Sequence, residues 1–311
     1  MTGGGRVLVT GASGFIGAHV VRALLAEGYS VRAASRTGCD LGVSEAVFVR
    51  LPDLSRAFDP SPLVEGMDYV VHLAGIAHAT SAIPEDMYHV VNADAAARIA
   101  AAARDAGVKR FLLMSSVRAQ SGPAAAMVIK ESQPAQPNDA YGRSKLAGER
   151  AVADALRGSG TDWVILRPVL VYGPGVKGNM ATLERLAHLP VPLPLGGFTG
   201  RRSLLSVANL ASVVCHCLSA DAARGGTFLV ADGEPFTPAE IVGAMRKGLG
   251  RSPGIFGGSA FPLMPLLTLL GKQAVAERLM GDLVVDTTAL RATGWSPVED
   301  TLTALGQVAS E

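Results

Sequence analysis

Tyr141-Gly142-Arg143-Ser144-Lys145 places a phenol and an ammonium at i and i+4, positions that share one face of a helix. A free tyrosine has a pKa of about 10, too high for an effective base near neutrality. An adjacent lysine charge stabilises the phenolate and lowers that value. A phenol tuned this way can exchange a proton with a substrate alcohol. Upstream, an apolar run from Phe111 ends in Ser115-Ser116, where a hydroxyl can hydrogen-bond the same alcohol or carbonyl oxygen. The Tyr-x-x-x-Lys spacing alone is common and mostly structural. Its weight here comes from a second motif at the start of the chain.

That motif is Thr10-Gly11-Ala12-Ser13-Gly14-Phe15-Ile16-Gly17, directly after a strand-like run. Three glycines at this spacing let a backbone turn sharply, approach a pyrophosphate and pack the next helix on the sheet. The helix N-terminus then offers N–H groups and a positive dipole end to the phosphates. The motif predicts a dinucleotide site in which Gly11, Ser13, Gly14, Phe15, Ile16 and Gly17 form the phosphate cradle; the alternative is a tight turn without a ligand. An acidic residue about 20 positions later would bind both ribose hydroxyls of NAD. This chain has Ser35 and Arg36 there, with Arg32 earlier on the strand. A guanidinium suits a 2′-phosphate, so NADP is favoured over NAD, although Arg36 could also stack on adenine with NAD bound. Asp53-Leu54 can meet the adenine, and Leu73-Ala74-Gly75 forms a close-approach loop by the cofactor. His72 reads as packed in the sheet.

These residues need a scaffold. Strand-like runs at Arg6–Thr10, Tyr29–Ser35, Val47–Arg50, Tyr69–Leu73, Arg110–Ser115 and Asp162–Arg167 alternate with helical stretches at Gly14–Glu27, Asp86–Asp105 and Tyr141–Arg157. Strands apolar on both faces and separated by helices predict an α/β fold, a doubly wound parallel sheet covered on both sides. Prolines punctuate the chain after Arg167. Residues 1–172 read as the dinucleotide-binding domain, with segments of about 203–231 rejoining it, and 173–311 as mostly a smaller substrate-binding lobe. The stretch 253–270, with its apolar core Ala260–Leu270, reads as a lid or a peripheral membrane contact. That core is shorter than the ~20 apolar residues a spanning helix needs, and Pro262 and Pro265 interrupt it.

The 311 residues are 49% hydrophobic and 18% charged, which argues against disorder. The 28 basic and 27 acidic side chains leave a net charge of +1, removing the electrostatic case for a nucleic-acid partner. Cys39, Cys215 and Cys217 form neither a disulfide framework nor a metal knuckle, so no metal is expected. A reducing, cytoplasmic setting follows as the default.

The glycine loop, His72-Leu73-Ala74-Gly75, Asn92, Ser115-Ser116, Tyr141/Lys145 and Arg167-Pro168-Val169-Leu170-Val171-Tyr172-Gly173-Pro174-Gly175 together resemble the extended short-chain dehydrogenase/reductase superfamily. Within it the chain resembles the nucleotide-sugar epimerase/dehydratase family, over nearly its whole length. The resemblance implies a Rossmann fold, a catalytic triad of Ser116, Tyr141 and Lys145, Pro168 beside the nicotinamide, and Asn92 near the active centre on the cofactor side. It also implies Asn179 against the substrate diphosphate or sugar, Arg202 as a diphosphate ligand and Arg278 as a second such arginine. The helices Asp86–Asp105 and Tyr141–Arg157 would pair two copies in a homodimer.

One departure is informative. Dehydratases of the family carry an Asp-Glu pair directly after the catalytic hydroxyl, where this chain has Val117 and Arg118. Without that acid pair, 4,6-dehydration is disfavoured, leaving redox at C4 of a UDP-hexose or UDP-N-acetyl-hexosamine by a 4-epimerase or a 4-keto reductase. Two other readings share the frame: a reductase of small or hydrophobic carbonyls, and a non-enzymatic NADP-sensing protein.

Overall fold

The computed structural model describes residues 4–38, 42–77, 83–176, 178–257 and 280–310. Its centre is a seven-stranded sheet of β1 (Arg6–Thr10), β2 (Ser30–Ser35), β3 (Val47–Arg50), β4 (Tyr69–His72), β5 (Arg110–Met114), β6 (Asp162–Pro168) and, from later in the chain, Gly226–Val230. Two further strands precede that last one, β7 (Leu170–Tyr172) and β8 (Leu204–Ser206), so it is β9. The order is β3-β2-β1-β4-β5-β6-β9, every pair parallel. Parallel strands bury both faces, and β5 is buried at every residue.

Helix α1 (Phe15–Ala26) and α7 (Val207–Ser219) cover one face. The other carries α2 (Ser61–Val64), α4 (Ala95–Asp105) and α5 (Ala140–Leu156). Strand order reverses between β1 and β4, and ligands of such sheets bind beyond the carboxyl ends at that point. The register aligns Thr10 with Ala34 and with His72, and His72 with Leu113. Gly11, Ser35, Leu73 and Ser115 therefore emerge along one edge.

Two elements differ from the sequence reading. The stretch expected as one helix, Asp86–Asp105, is α3 (Glu85–His89), a wide π turn over Val90–Asp94, and α4. A single wider turn inside a longer helical stretch has no residue signature of its own, and this one carries Asn92. The strand at Leu204–Ser206 does not rejoin the main sheet. It pairs with β7 in a two-stranded sheet, because the open edge of β6 is already taken by β9.

Helices α6 (Asn179–His188), α8 (Pro238–Gly248) and α10 (Thr301–Ser310) gather around a separate apolar cluster with Tyr172, Met180, Leu204 and Met245; α9 is Thr288–Ala292. Cys39, Arg278 and the apolar core of the lid segment lie outside the described residues. No helix among the described residues is long and apolar enough to cross a membrane.

Asp232, just past β9, knots these parts together. Its carboxylate accepts from the Ser206 backbone N–H at 3.0 Å, Asn209 Nδ2 at 2.7 Å, the Tyr172 hydroxyl at 3.0 Å and Thr301 Oγ1 at 3.2 Å. Burial pushes its pKa up, and these donors oppose the rise. Asp232→Ala leaves four buried donors without their acceptor and should cost about 3 kcal/mol, read as a lowered urea midpoint.

Candidate active site

The glycine loop is built as a cradle. Gly11 has φ +74°, and its N–H donates to the Ala34 carbonyl at 2.9 Å. A Cβ on Gly17 would lie 2.2 Å from the Gly11 carbonyl oxygen, so only glycine lets α1 sit this close to the turn. Helix α1 starts at Gly14 with no side-chain cap and no acidic residue in its first turn. Its first N–H groups and positive dipole end therefore suit phosphate. Ser13 and Gly14 are exposed, Phe15 and Ile16 half-buried.

The adenosine end lies one strand over. Ser35 is buried, with its hydroxyl donating to the Thr37 carbonyl, while Arg36 is exposed. Arg36 is close enough to help hold the Asp53 carboxyl below the usual range, behind the larger effect of Ser55, whose hydroxyl donates to Asp53 at 2.7 Å. Leu54 is buried beneath. His72 lies within the sheet, Nδ1 2.8 Å from Thr10 Oγ1, and burial together with the Lys145 charge drives its pKa down to about 3. It is a neutral packing residue.

The chemical end forms where β5 meets α5. Asp139 caps α5, accepting from the Gly142 N–H at 2.7 Å. A Cβ on Gly142 would stand 2.3 Å from the Arg118 carbonyl oxygen, so α5 touches the turn after β5 backbone to backbone. That contact brings the Tyr141 phenol close enough to the Ser116 hydroxyl for Ser116 to favour the phenolate. Ser116 Oγ also accepts from the Arg118 N–H at 3.2 Å. Asn92 Nδ2 donates to Ser144 Oγ at 3.0 Å, and Ser144 in turn donates to the Tyr141 carbonyl. Gly75 faces both Asn92 and Lys145: a Cβ there would lie 2.6 Å from Asn92 Oδ1 and 3.4 Å from Lys145 Nζ. Pro168 is buried at the end of β6.

The charge pattern departs from the sequence expectation. Burial raises the Tyr141 pKa, with the Ser116 hydrogen bond and the Arg118 charge opposing and Asp139 adding to it. Lys145 is not among the groups that shift the phenol, and its ammonium donates to the Met114 carbonyl at 3.0 Å. Burial disfavours the Lys145 charge, bringing its pKa down to about 8 against the pull of Glu149.

The sequence reading passed over two sets of residues. One is a buried network in which the Ser115 hydroxyl donates to Glu149, Arg167 Nε donates to Glu149 Oε1 at 2.9 Å, and Arg167 Nη1 donates to Gln120. Its visible signal was Glu149, one helical step beyond Lys145 on the same face. The other is the ion pair of Arg118 and Asp139 at 2.6 Å, whose partners straddle a long loop.

Of the substrate-side residues, Arg202 is half-buried and donates to the carbonyls of Pro123 at 3.0 Å and Gly281 at 3.2 Å. Asn179 opens α6. Arg278 lies outside the described residues.

A family model described as the NAD dependent epimerase/dehydratase family matches residues 7–231. A UDP-glucose 4-epimerase of Vibrio cholerae is 33% identical over 298 residues, covering 94% of this chain and 90% of that protein. A ceramide reductase of Caulobacter vibrioides is 33% identical over 220 residues, 68% of this chain and 61% of that protein. Among solved structures, MoeE5 in complex with UDP-glucose and NAD aligns with a TM-score of 0.76 and 25% identity over 98% of both chains. With the glycine cradle, the parallel sheet and the Ser116–Tyr141 pair in place, this chain belongs to the NAD dependent epimerase/dehydratase family.

Proposed function

We propose that this protein carries out oxidation and reduction at C4 of a UDP-hexose or UDP-N-acetyl-hexosamine, and that it acts as a 4-epimerase. The observation that carries the reading is the closeness of the Ser116 hydroxyl and the Tyr141 phenol at the carboxyl end of β5, beside Lys145 and Gly75 and beyond the glycine cradle. The Vibrio cholerae relative supports the reaction type. Val117 and Arg118, standing where a dehydratase needs two acids, argue against water loss.

In the proposed reaction the Tyr141 oxygen takes the proton of the C4 hydroxyl and later returns one. A nicotinamide held by the glycine cradle would supply the hydride acceptor and donor for C4 and, when oxidised, a positive charge by the phenol. Ser116 orients the C4 oxygen by hydrogen bonding. Lys145, held on the Met114 carbonyl, and Asn92, held between Ile76 and Ser144, keep that wall of the crevice rigid. The keto sugar turns between the two hydride transfers and is reduced on its other face. A 4-keto reductase would use the same groups once and release spent cofactor.

A second reading, reduction of a hydrophobic carbonyl, is favoured by one relative, the ceramide reductase, and by the engagement of Arg202 with two backbone carbonyls. It needs no diphosphate ligand, so UDP affinity separates the two. Under the sugar reading, Arg202→Ala weakens UDP binding by about tenfold in calorimetry, the worth of one charge-assisted contact; an unchanged affinity supports the hydrophobic carbonyl instead.

Supplied with UDP-glucose or UDP-N-acetylglucosamine and either NAD or NADP, the protein should form the C4 epimer; absence of any epimer by NMR removes the epimerase assignment. Tyr141→Phe should lower kcat by roughly 10²–10⁴ while leaving UDP affinity unchanged, because the lost group transfers a proton and does not hold the nucleotide. For the cofactor we propose a preference for NADP through Arg36. Arg36→Ala should then weaken NADPH binding about tenfold and leave NADH binding unchanged. Equal losses for both cofactors would mean that Arg36 only stacks on adenine.

A further inference from the structure

We infer that Arg118 and Asp139 act as a positioning pair that holds the Ser116 turn against the N-terminus of α5 and sets the electrostatic balance at Tyr141. The inference rests on Tyr141 as the proton-transfer group proposed above. Neither side chain is assigned contact with substrate or cofactor.

The geometry is a closed loop of contacts. Arg118 Nη2 lies 2.6 Å from Asp139 Oδ2, and the other carboxylate oxygen, Oδ1, accepts from the Gly142 N–H at 2.7 Å. The Arg118 N–H donates to Ser116 Oγ, and the Arg118 carbonyl bears on the α carbon of Gly142. Arg118 Nη2 also donates to Asn138 at 3.2 Å. Four of the contacts between the turn at Ser116 and the start of α5 thus run through this pair or beside it. A salt bridge with one side chain 18% and the other 30% exposed is screened less than a surface pair.

Several other charges on and against α5 are paired elsewhere. Glu85 of α3 pairs with Arg143, Arg104 of α4 with Asp105, Arg167 of β6 with Glu149, and Asp94 of the π turn with His89. Lys145 faces the Met114 carbonyl. Asp139 and Arg118 are the two charges that act on the phenol, the carboxylate raising its pKa and the guanidinium lowering it. Arg143 also adds, behind Arg118, to the lowering of the Asp139 carboxyl.

The test is a pair of single variants whose effects should oppose one another. Asp139→Asn keeps an oxygen to cap α5 but removes the anion, so the rising limb of the kcat/KM profile for UDP-glucose moves to lower pH. Arg118→Gln leaves Asp139 unpaired, so the limb moves to higher pH, with kcat down roughly tenfold and KM unchanged. Arg118→Lys should restore the limb to its wild-type position. An ultraviolet titration of tyrosinate, with Tyr141→Phe in each background to isolate the phenol, should show the same opposed displacements without any substrate. Limbs and titrations that stay put, or move in one direction for both variants, overturn the pair while leaving Tyr141 as the base. If Tyr141→Phe retains full turnover, the assignment of Tyr141 and the pair fall together.

Discussion

Backbone contact between α5 and the turn after β5 is the constraint on which the site depends. Side chains longer than a hydrogen at residue 142 would collide with the Arg118 carbonyl, and at residue 148 with the Asn92 carbonyl, each at 2.3 Å from an added Cβ. The two glycines, one near each end of the Tyr141–Lys145 segment, let the helix settle onto the turn after β5 and onto the π turn between α3 and α4 at once. Tyr141 then meets Ser116, and Lys145 meets the last carbonyl of β5. Helix propensity works against glycine by about 1 kcal/mol per residue in a helix interior. The cost is accepted where close packing fixes the geometry.

Behind that contact, charge replaces apolar packing. Ser115, Glu149, Arg167 and Gln120 are all buried, and Gln120 continues the network to the carbonyls of Lys130 and Gln133. Burying an ion pair carries a desolvation cost that its attraction repays only when the remaining donors are satisfied. Here the fork of Arg167 spans both Glu149 oxygens and reaches Gln120. The network ties the end of β5, the middle of α5, the end of β6 and the loop at 130–133 to one another. A salt bridge of this kind fixes an arrangement more than it adds stability, and what it fixes is the wall behind Ser116 and Lys145.

The sequence made the frame readable wherever one local pattern had one physical meaning. Short apolar runs such as Phe111–Met114, set between helical stretches, read as strands buried on both faces, and Gly11 and Gly17 have a turn-and-helix geometry that other residues would break. Tyr141 and Lys145 were visible through helical spacing and Ser116 through its place at a strand end. Legibility ended where the outcome depended on a partner far along the chain. The acceptor chosen by Lys145 is a carbonyl 31 residues away, Asp139 finds Arg118 across 21 residues, and Arg202 turns to carbonyls 79 residues distant on either side. The π turn at Asn92 is hidden for another reason: one wider turn within a longer helical stretch has no residue signature of its own.

The perturbed acids and bases of the site follow from one cause acting in opposite directions. Removing water disfavours whichever form is charged, so burial raises the phenol of Tyr141 and lowers the ammonium of Lys145. The chain's own residues therefore bring Lys145 to about 8 and leave Tyr141 protonated at neutral pH. Stabilising a phenolate beside Ser116 would take positive charge that these residues do not supply in full, since Asp139 offsets Arg118 and Lys145 is not among the charges that shift the phenol. An oxidised nicotinamide is such a charge, and a low-dielectric crevice makes its influence larger than it would be in water. The same desolvation that keeps the phenol protonated would thus strengthen its response to the cofactor, so that the base is formed in the state where a hydride acceptor is also at hand.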